Sequence, residues 1–191
     1  WEHKRNLVHT ITSATPQEGK TITSLNLGLS FAELRNRRTI VIEADLRLPQ
    51  FTKLIGVDNH YPGMVGLLDG SQKLADVVYE IGSTNLHMIF AGGRANDQAV
   101  QLLHSSRLVT LLQQLRNKYD HVIIDTPPVV ELADAGIIGA MSDDVQLIVR
   151  MGRTPRPLVE QAIRTLQNYS APVAGLIDFS PSVAANFTIR D

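Results

Sequence analysis

Residues 8–21 read VHTITSATPQEGKT, and this stretch decides the fold. An apolar, strand-like run enters a Gly19-Lys20-Thr21 turn, and a helix-like run from Ile22 to Arg35 follows. This is the layout of a phosphate-binding loop, in which backbone N–H groups at the helix start surround the phosphates. The lysine of such a loop contacts the β- and γ-phosphates, and its threonine hydroxyl binds Mg²⁺. Ala14 stands where the pattern has its first glycine, and a strand–helix turn without a ligand is the alternative.

We expect a nucleotide to contact this loop along its length. The predicted binding residues are Thr15, Pro16, Gln17, Glu18, Gly19, Lys20, Thr21 and Ile22.

Composition limits the classes of protein that remain. The chain has 191 residues, 43% of them hydrophobic, a formal net charge of −1 and no cysteine. We expect one domain, residues 1–191, with a full core. The balanced charge argues against a nucleic-acid partner, and the lack of cysteine excludes disulfides and thiolate metal sites. No apolar run is long enough to cross a bilayer, and because the chain begins with Trp1 we expect a piece of a longer protein.

Short apolar runs alternate with helix-like stretches along the chain. The predicted strands after the first are 39–42, 86–90, 121–124, 145–149 and 173–177. Several of them are nearly continuous in apolar character, which is typical of parallel strands buried on both faces. Helical spacing marks 106–118 and 158–169, whereas 48–84 is predicted to be turn-rich with short helices. The alternation predicts an α/β fold, a three-layer α/β/α sandwich of the P-loop NTPase type with a mainly parallel sheet.

One acidic motif follows the predicted strand at 121–124. Its sequence is Asp125-Thr126-Pro127-Pro128, in which proline ends the strand. An acid at this place in a P-loop protein binds Mg²⁺ directly or through water, which is the Walker B arrangement. The alternative is an aspartate that only caps the strand before a turn.

A second acidic motif, Glu43-Ala44-Asp45-Leu46-Arg47-Leu48-Pro49, follows the strand at 39–42. Alternation along a strand end sends Glu43 and Asp45 toward the same side, so we expect them to share Mg²⁺ or to accept a proton from an attacking hydroxyl. Arg47 is predicted to stabilise phosphate charge or to pair with a carboxylate. A solvated turn is the alternative. The motifs together predict phosphoryl transfer, with catalytic residues Lys20, Asp45, Glu43 and Arg47 and metal ligands Thr21, Asp45 and Asp125.

In this order the three motifs resemble those of the bacterial tyrosine autokinases of capsule and exopolysaccharide synthesis. That family carries a Walker A loop, an acidic Walker A′ strand end followed by Arg and Pro, and a Walker B motif ending in Asp-Thr-Pro-Pro. The similarity continues in the stretches 26–27, 66–67, 86–92, 106–107, 133–135, 150–155 and 171–175. It therefore covers nearly the whole chain.

The resemblance implies an ATP-dependent protein-tyrosine kinase domain that uses Mg²⁺. It implies that Lys20 holds phosphates, that Thr21 and Asp125 hold Mg²⁺, and that Asp45 activates the tyrosine hydroxyl with support from Glu43. Arg150, in a matching stretch, joins the nucleotide-binding residues. The resemblance also implies a place on the cytoplasmic face of the bacterial inner membrane and a transmembrane polysaccharide co-polymerase as activator. Subunits of the family form homo-oligomeric rings and phosphorylate the tyrosine-rich tail of a neighbouring subunit.

The chain departs from the family pattern in four places. Glu43 replaces the usual aspartate, and no tyrosine follows Tyr169 in this sequence. No Glu- and Arg-rich segment is recognisable in the seven residues before Val8, and Phe179 stands where the family often has asparagine. One alternative is an ATP-switched protein of the ParA/MinD-related class, although Thr15 replaces that class's signature lysine. Another is a kinase-like domain that binds ATP and assembles but phosphorylates poorly. The six histidines are scattered and are interpreted as structural or exposed.

Overall fold

The computed structural model describes residues 6–34, 37–57, 61–82 and 84–179. Within them the strands are β1 (Leu7–Ser13), β2 (Thr39–Glu43), β3 (Tyr79–Glu80), β4 (Leu86–Ile89), β5 (His121–Asp125), β6 (Asp144–Val149) and β7 (Val173–Asp178). The helices are α1 (Lys20–Ala32), α2 (Phe51–Ile55), α3 (Met64–Asp69), α4 (Ala99–Leu103), α5 (Ser106–Arg116), α6 (Asp134–Gly139) and α7 (Arg156–Asn168). Short 3₁₀ turns lie at Leu74–Asp76 and Asn96–Gln98. None of the described helices is long and apolar enough to span a membrane.

The strands form one sheet in the order β3-β4-β2-β5-β1-β6-β7. Every pairing is parallel except that of β3 with β4. This confirms the predicted α/β fold with a mainly parallel sheet. The turn-rich segment contains the short helices α2 and α3, as expected, and also β3, which the sequence did not predict.

Alternate residues of β2 show how the sheet is covered on both faces. Ile40 and Ile42 pack in one core layer with the leucines of α5. Val41, which lies between them, packs in another layer with Leu25 of α1. Since successive side chains of a strand point to opposite faces, the two layers lie on opposite sides of the sheet.

The strand order places the three motifs at one edge. β5 lies between β1 and β2, and Asp125 pairs in register with Ile11 on one side and Glu43 on the other. The strands run parallel, so the phosphate loop after β1, the acidic turn after β2 and the end of β5 meet at their carboxyl edge. Ligands of open α/β sheets bind at this edge.

Candidate active site

The loop between β1 and α1 is shaped by a glycine and by a buried glutamate. Gly19 has φ +94° directly before Lys20 starts the helix, a conformation that L-residues with a side chain rarely adopt. Glu18 is 3% exposed, and its carboxylate accepts hydrogen bonds from the Thr15 backbone N–H (3.0 Å) and the Thr154 hydroxyl. These contacts fix the loop and connect it to the segment after β6.

A cleft of about 490 Å³ opens over this loop. Its polar end contains Lys20, Thr21, Asp45 and Arg47. The rest of its lining is Pro16, Gln17, Gly19, Ile22, Leu48, Gln50, Leu54, Pro127, Pro128, Glu131, Leu132 and Phe179. Most of the predicted nucleotide contacts therefore border one cavity.

Three of the predicted nucleotide contacts, Thr15, Glu18 and Arg150, do not line the cleft. The Thr15 backbone N–H donates to the Glu18 carboxylate within the loop, and the Arg150 guanidinium donates a hydrogen bond to the Gln17 carbonyl at 3.4 Å. Their observed contacts support the loop from outside the cleft.

Lys20 and Asp45 form an ion pair at the polar end. The lysine Nζ lies 3.6 Å from Asp45 Oδ2, and both side chains are largely buried. Asp45 also turns the chain, because its Oδ1 accepts the Leu48 backbone N–H at 3.0 Å. The turn after β2 and the phosphate loop are thereby brought together, as the motifs predicted.

Asp125 is 1% exposed at the end of β5. Its carboxylate accepts hydrogen bonds from the hydroxyls of Ser24 (3.2 Å) and Thr21. The pKa of Asp125 is raised to about 7, chiefly by burial and also by the nearby Asp45 and Glu43 carboxylates, against the lowering effect of Lys20 and Thr21. A carboxylate so poorly solvated gains from a nearby cation.

These donors fit Mg²⁺. Thr21 and Asp125 supply the hydroxyl and carboxylate oxygens that this hard cation prefers. No group of three or more His, Asp or Glu side chains in the described part of the chain is arranged to hold a metal by itself. This suits an ion that is held by one or two protein groups and by substrate phosphates.

Glu43 does not share the cleft with Asp45, and this corrects the expectation that both acids face one site. Glu43 instead borders a second cavity of about 300 Å³, lined also by Tyr61, Phe90 and Arg94. Both of its carboxylate oxygens accept backbone N–H groups. The physical reason is that β2 ends at Glu43, so strand alternation does not continue to Asp45.

Arg47 lines the cleft and also pairs with Asp134, which lies in the matching stretch 133–135. Its Nε donates to Asp134 Oδ2 at 3.2 Å, and Asp134 is fully buried at the start of α6. The other oxygen, Asp134 Oδ1, has no hydrogen-bond partner among the described residues. The predicted pairing of Arg47 with a carboxylate is confirmed.

Two further residues contribute to the site: Phe179, which the sequence marked only as a departure from the family pattern, and Ser24, which was not predicted. Phe179 packs its ring against the loop, so that a Cβ built on Gly19 would lie 2.4 Å from the ring. Ser24 bonds to both the Lys20 carbonyl and Asp125. Its position one helical turn after Lys20 is the signal that identifies it, because residues four apart share a helix face.

Comparison with known proteins agrees with the motifs and the fold. Residues 16–170 match the model of the AAA domain family. Tyrosine-protein kinase Ptk of Acinetobacter johnsonii is 33% identical over 91% of this chain and 23% of its own length. Tyrosine-protein kinase CpsD of Streptococcus agalactiae is 30% identical over 91% of this chain and 75% of its own length. The chain thus spans under a quarter of one relative and three quarters of the other.

Comparison with solved structures also shows similarity to a kinase domain. The VpsO kinase domain has a TM-score of 0.85 at 35% identity, covering 90% of this chain and 83% of that one. The cell division ATPase MinD of Pyrococcus furiosus has a TM-score of 0.73 at 19% identity over 94% of this chain and 78% of that one, which shows the fold alone. The P-loop fold and the kinase relatives imply that the chain binds a nucleotide. The chain belongs to the AAA domain family and, within it, to the bacterial tyrosine-protein kinases.

Proposed function

We propose that this chain is an ATP-dependent protein-tyrosine kinase domain that acts in capsule or exopolysaccharide synthesis. The observation that carries the proposal is the convergence of Lys20, Thr21 and Asp45 in one cleft, with the buried Asp125 carboxylate bonded to Thr21 beside it. Relatives named tyrosine-protein kinase and a Rhizobium meliloti relative named succinoglycan biosynthesis transport protein support it.

The chemistry follows from charge and position. Lys20 leaves its pairing with Asp45 to bind the β- and γ-phosphates of ATP, while Thr21 and Asp125 would hold Mg²⁺, which neutralises phosphate charge when bound. Asp45 accepts the proton of a tyrosine hydroxyl. The phenolic oxygen then bonds to the γ-phosphorus, the bond from that phosphorus to the β–γ bridging oxygen breaks, and ADP leaves.

The setting of the reaction belongs to the same proposal. We infer that the acceptor is a tyrosine-rich tail of a neighbouring subunit in a homo-oligomer. A transmembrane polysaccharide co-polymerase would hold and activate the kinase at the cytoplasmic face of the inner membrane. The relatives named tyrosine-protein kinase CpsD and succinoglycan biosynthesis transport protein ExoP support a kinase that acts in polysaccharide synthesis and transport.

The test uses the full-length protein incubated with Mg²⁺ and ATP, with phosphotyrosine and released phosphate both measured. Lys20→Met and Asp45→Asn are expected to lower phosphotyrosine formation by about 10²-fold or more, the usual effect of removing one essential charged contact. Lys118→Met, on the exposed surface after α5, is the matched control and is expected to behave as wild type. ATP hydrolysis or nucleotide-driven assembly without phosphotyrosine would overturn the kinase proposal in favour of an ATP switch.

A further inference from the structure

The two acids of the turn after β2 separate into different environments. Asp45 lies in the nucleotide cleft beside Lys20, and Glu43 borders the second cavity. Glu43 is 1% exposed, and burial is the main cause that raises its pKa. An acid this buried needs hydrogen-bond donors, and those donors show what it holds.

Three backbone N–H groups surround the Glu43 carboxylate. Its Oε1 accepts the N–H groups of Gln50 and Phe51, the latter at 2.7 Å, and its Oε2 accepts that of Ala91 at 3.0 Å. Gln50 and Phe51 begin α2, where helix N–H groups have no partner within the helix, and Ala91 follows shortly after β4. One side chain therefore ties two separate segments to the end of β2.

The chain between Glu43 and Gln50 is the turn that carries Asp45 and Arg47. Glu43 closes this turn at its base by bonding across it. The turn has further ties from the Ala44 N–H to the Asp125 carbonyl (2.8 Å) and from the Ala95 N–H to the Leu46 carbonyl (2.8 Å). The place of Asp45 relative to Lys20 depends on this set of contacts.

Side-chain length decides whether one residue can make all three contacts. Aspartate has the same charge but is one methylene shorter, so it cannot reach α2 and Ala91 at once without a backbone shift. Glutamine has the length of glutamate, and its single oxygen can keep the two bonds to the start of α2. Substituting Glu43 by Asp or by Gln can therefore separate the effect of side-chain length from the effect of charge.

We propose that Glu43 is a positioning residue. By its reach it fixes the turn that places Asp45 against Lys20, and it does not ligate the metal. The predicted changes in ATP turnover rest on the proposed function. The predicted changes in amide hydrogen exchange do not depend on it.

The experiment compares Glu43→Gln and Glu43→Asp with wild type in the full chain. Glu33→Gln and Glu33→Asp, at an exposed position after α1, are the matched controls. Amide hydrogen exchange is followed in peptides covering the start of α2 and the segment after β4. The kcat and KM of ATP turnover and the Mg²⁺ dependence of nucleotide binding are measured on the same preparations.

We expect exchange protection at the start of α2 to fall in the order wild type, Gln, Asp. The kcat should fall in the same order, by about tenfold or more in the Asp variant, because displacements near 1 Å are costly for transfer chemistry. KM for ATP and the Mg²⁺ dependence should stay within about twofold of wild type.

Other outcomes overturn the inference. An Asp variant as active as wild type, or more active than the Gln variant, would show that charge matters and reach does not. A weaker Mg²⁺ dependence in the Gln variant alone would show metal ligation. Altered exchange with unchanged kcat would show a purely structural role. If wild type turns over no ATP, the proposed function fails, while the exchange order still tests the reach of Glu43.

Discussion

The Asp125 carboxylate lies beside a lysine and two hydroxyls, yet its pKa rises to about 7 because burial outweighs these contacts. In an unfolded chain an aspartate titrates near the ordinary value of about 3.9. Between these two values the folded protein holds a proton that the unfolded chain has released. By linkage, the Asp125 carboxyl group therefore stabilises the folded state at low pH. Its contribution to the free energy of unfolding is lost as the pH rises through about 7.

Asp125→Asn removes this titration while keeping an oxygen for the Thr21 and Ser24 hydroxyls. Without Mg²⁺, we expect the unfolding temperature of the Asn variant to fall less than that of wild type between about pH 5 and about pH 8. At about pH 8 the Asn variant should unfold at a higher temperature than wild type. The stabilisation that Mg²⁺ and ADP give to wild type should be absent. Thermal unfolding in EDTA across this range is the measurement, with the exposed Asp97→Asn as control. Parallel curves for wild type and the Asn variant would contradict the assignment.

At the same scale, the sequence predicted some site residues better than others. The sequence predicted Lys20, Thr21 and Asp125 well, because a nucleotide-binding phosphate loop needs a particular residue type at each of these positions. Glu43 was misplaced because a period-two argument holds only while the chain stays in the strand, and β2 ends at Glu43. Asp134 lies in the matching stretch 133–135, but its pairing with Arg47 became visible only in the fold.

At the scale of elements, the junction of β1 and α1 depends on one glycine and one aromatic ring. Gly19 has positive φ, and Phe179 occupies the space that a Cβ would need. Gly152 also has positive φ, but nothing lies within 4 Å of its Cβ position. Substitutions at Gly19 and Gly152 can therefore separate the cost of backbone strain from the cost of steric contact with the Phe179 ring.

Gly152→Ala should lower the free energy of unfolding by about 1–2 kcal/mol, the usual cost of left-handed backbone for a residue with a Cβ. Gly19→Ala should cost more, because the Phe179 ring must also move. In a Phe179→Ala background the excess should disappear, which a double-mutant cycle in urea measures. Equal costs at the two glycines would show that the ring yields freely.

The elements themselves were largely predictable from apolar spacing. Each predicted strand is present, and the inner strands β2 and β5 are buried at nearly every position, as their apolar runs indicated, whereas β7 at the sheet edge is partly exposed. β3 was missed because a two-residue strand has no period to detect. α7 begins at Arg156 rather than at 158, since Pro157 is tolerated in the first turn, where its missing N–H has no partner to lose.

At the scale of the whole molecule, the sheet has chemically different edges. The cleft lies at the carboxyl edge, while His9, His121 and Asp144 meet near the amino edge, under the Phe31 ring. The two imidazoles are 3.1 Å apart between His9 Nε2 and His121 Nδ1. Burial is the first cause that lowers the pKa of His121, followed by His9 and Arg37, while Asp120 and Asp144 raise it.

A lowered pKa means that the folded protein keeps His121 neutral where the unfolded chain takes up a proton. The stability that this gives is complete above about pH 6.5 and is lost as the pH falls below that value. His121→Asn should therefore flatten the acid side of the stability curve, and His104→Asn, at an exposed position, should leave it unchanged. Urea unfolding at several pH values tests this. Activity at neutral pH should be the same in all three proteins, and a kinetic defect would mean that the two edges are coupled.

The position of β1 in the sheet has a consequence for how the chain is made. Of the strands described, β1 leaves the ribosome before all the others, but its partners, β5 and β6, both lie beyond residue 120. At about 5–20 residues per second the first strand therefore waits for roughly ten seconds with both edges unpaired. During that time the stretch that decides the fold is exposed to association with other chains. The need of the growing chain for chaperones should therefore depend on how soon β5 is synthesised.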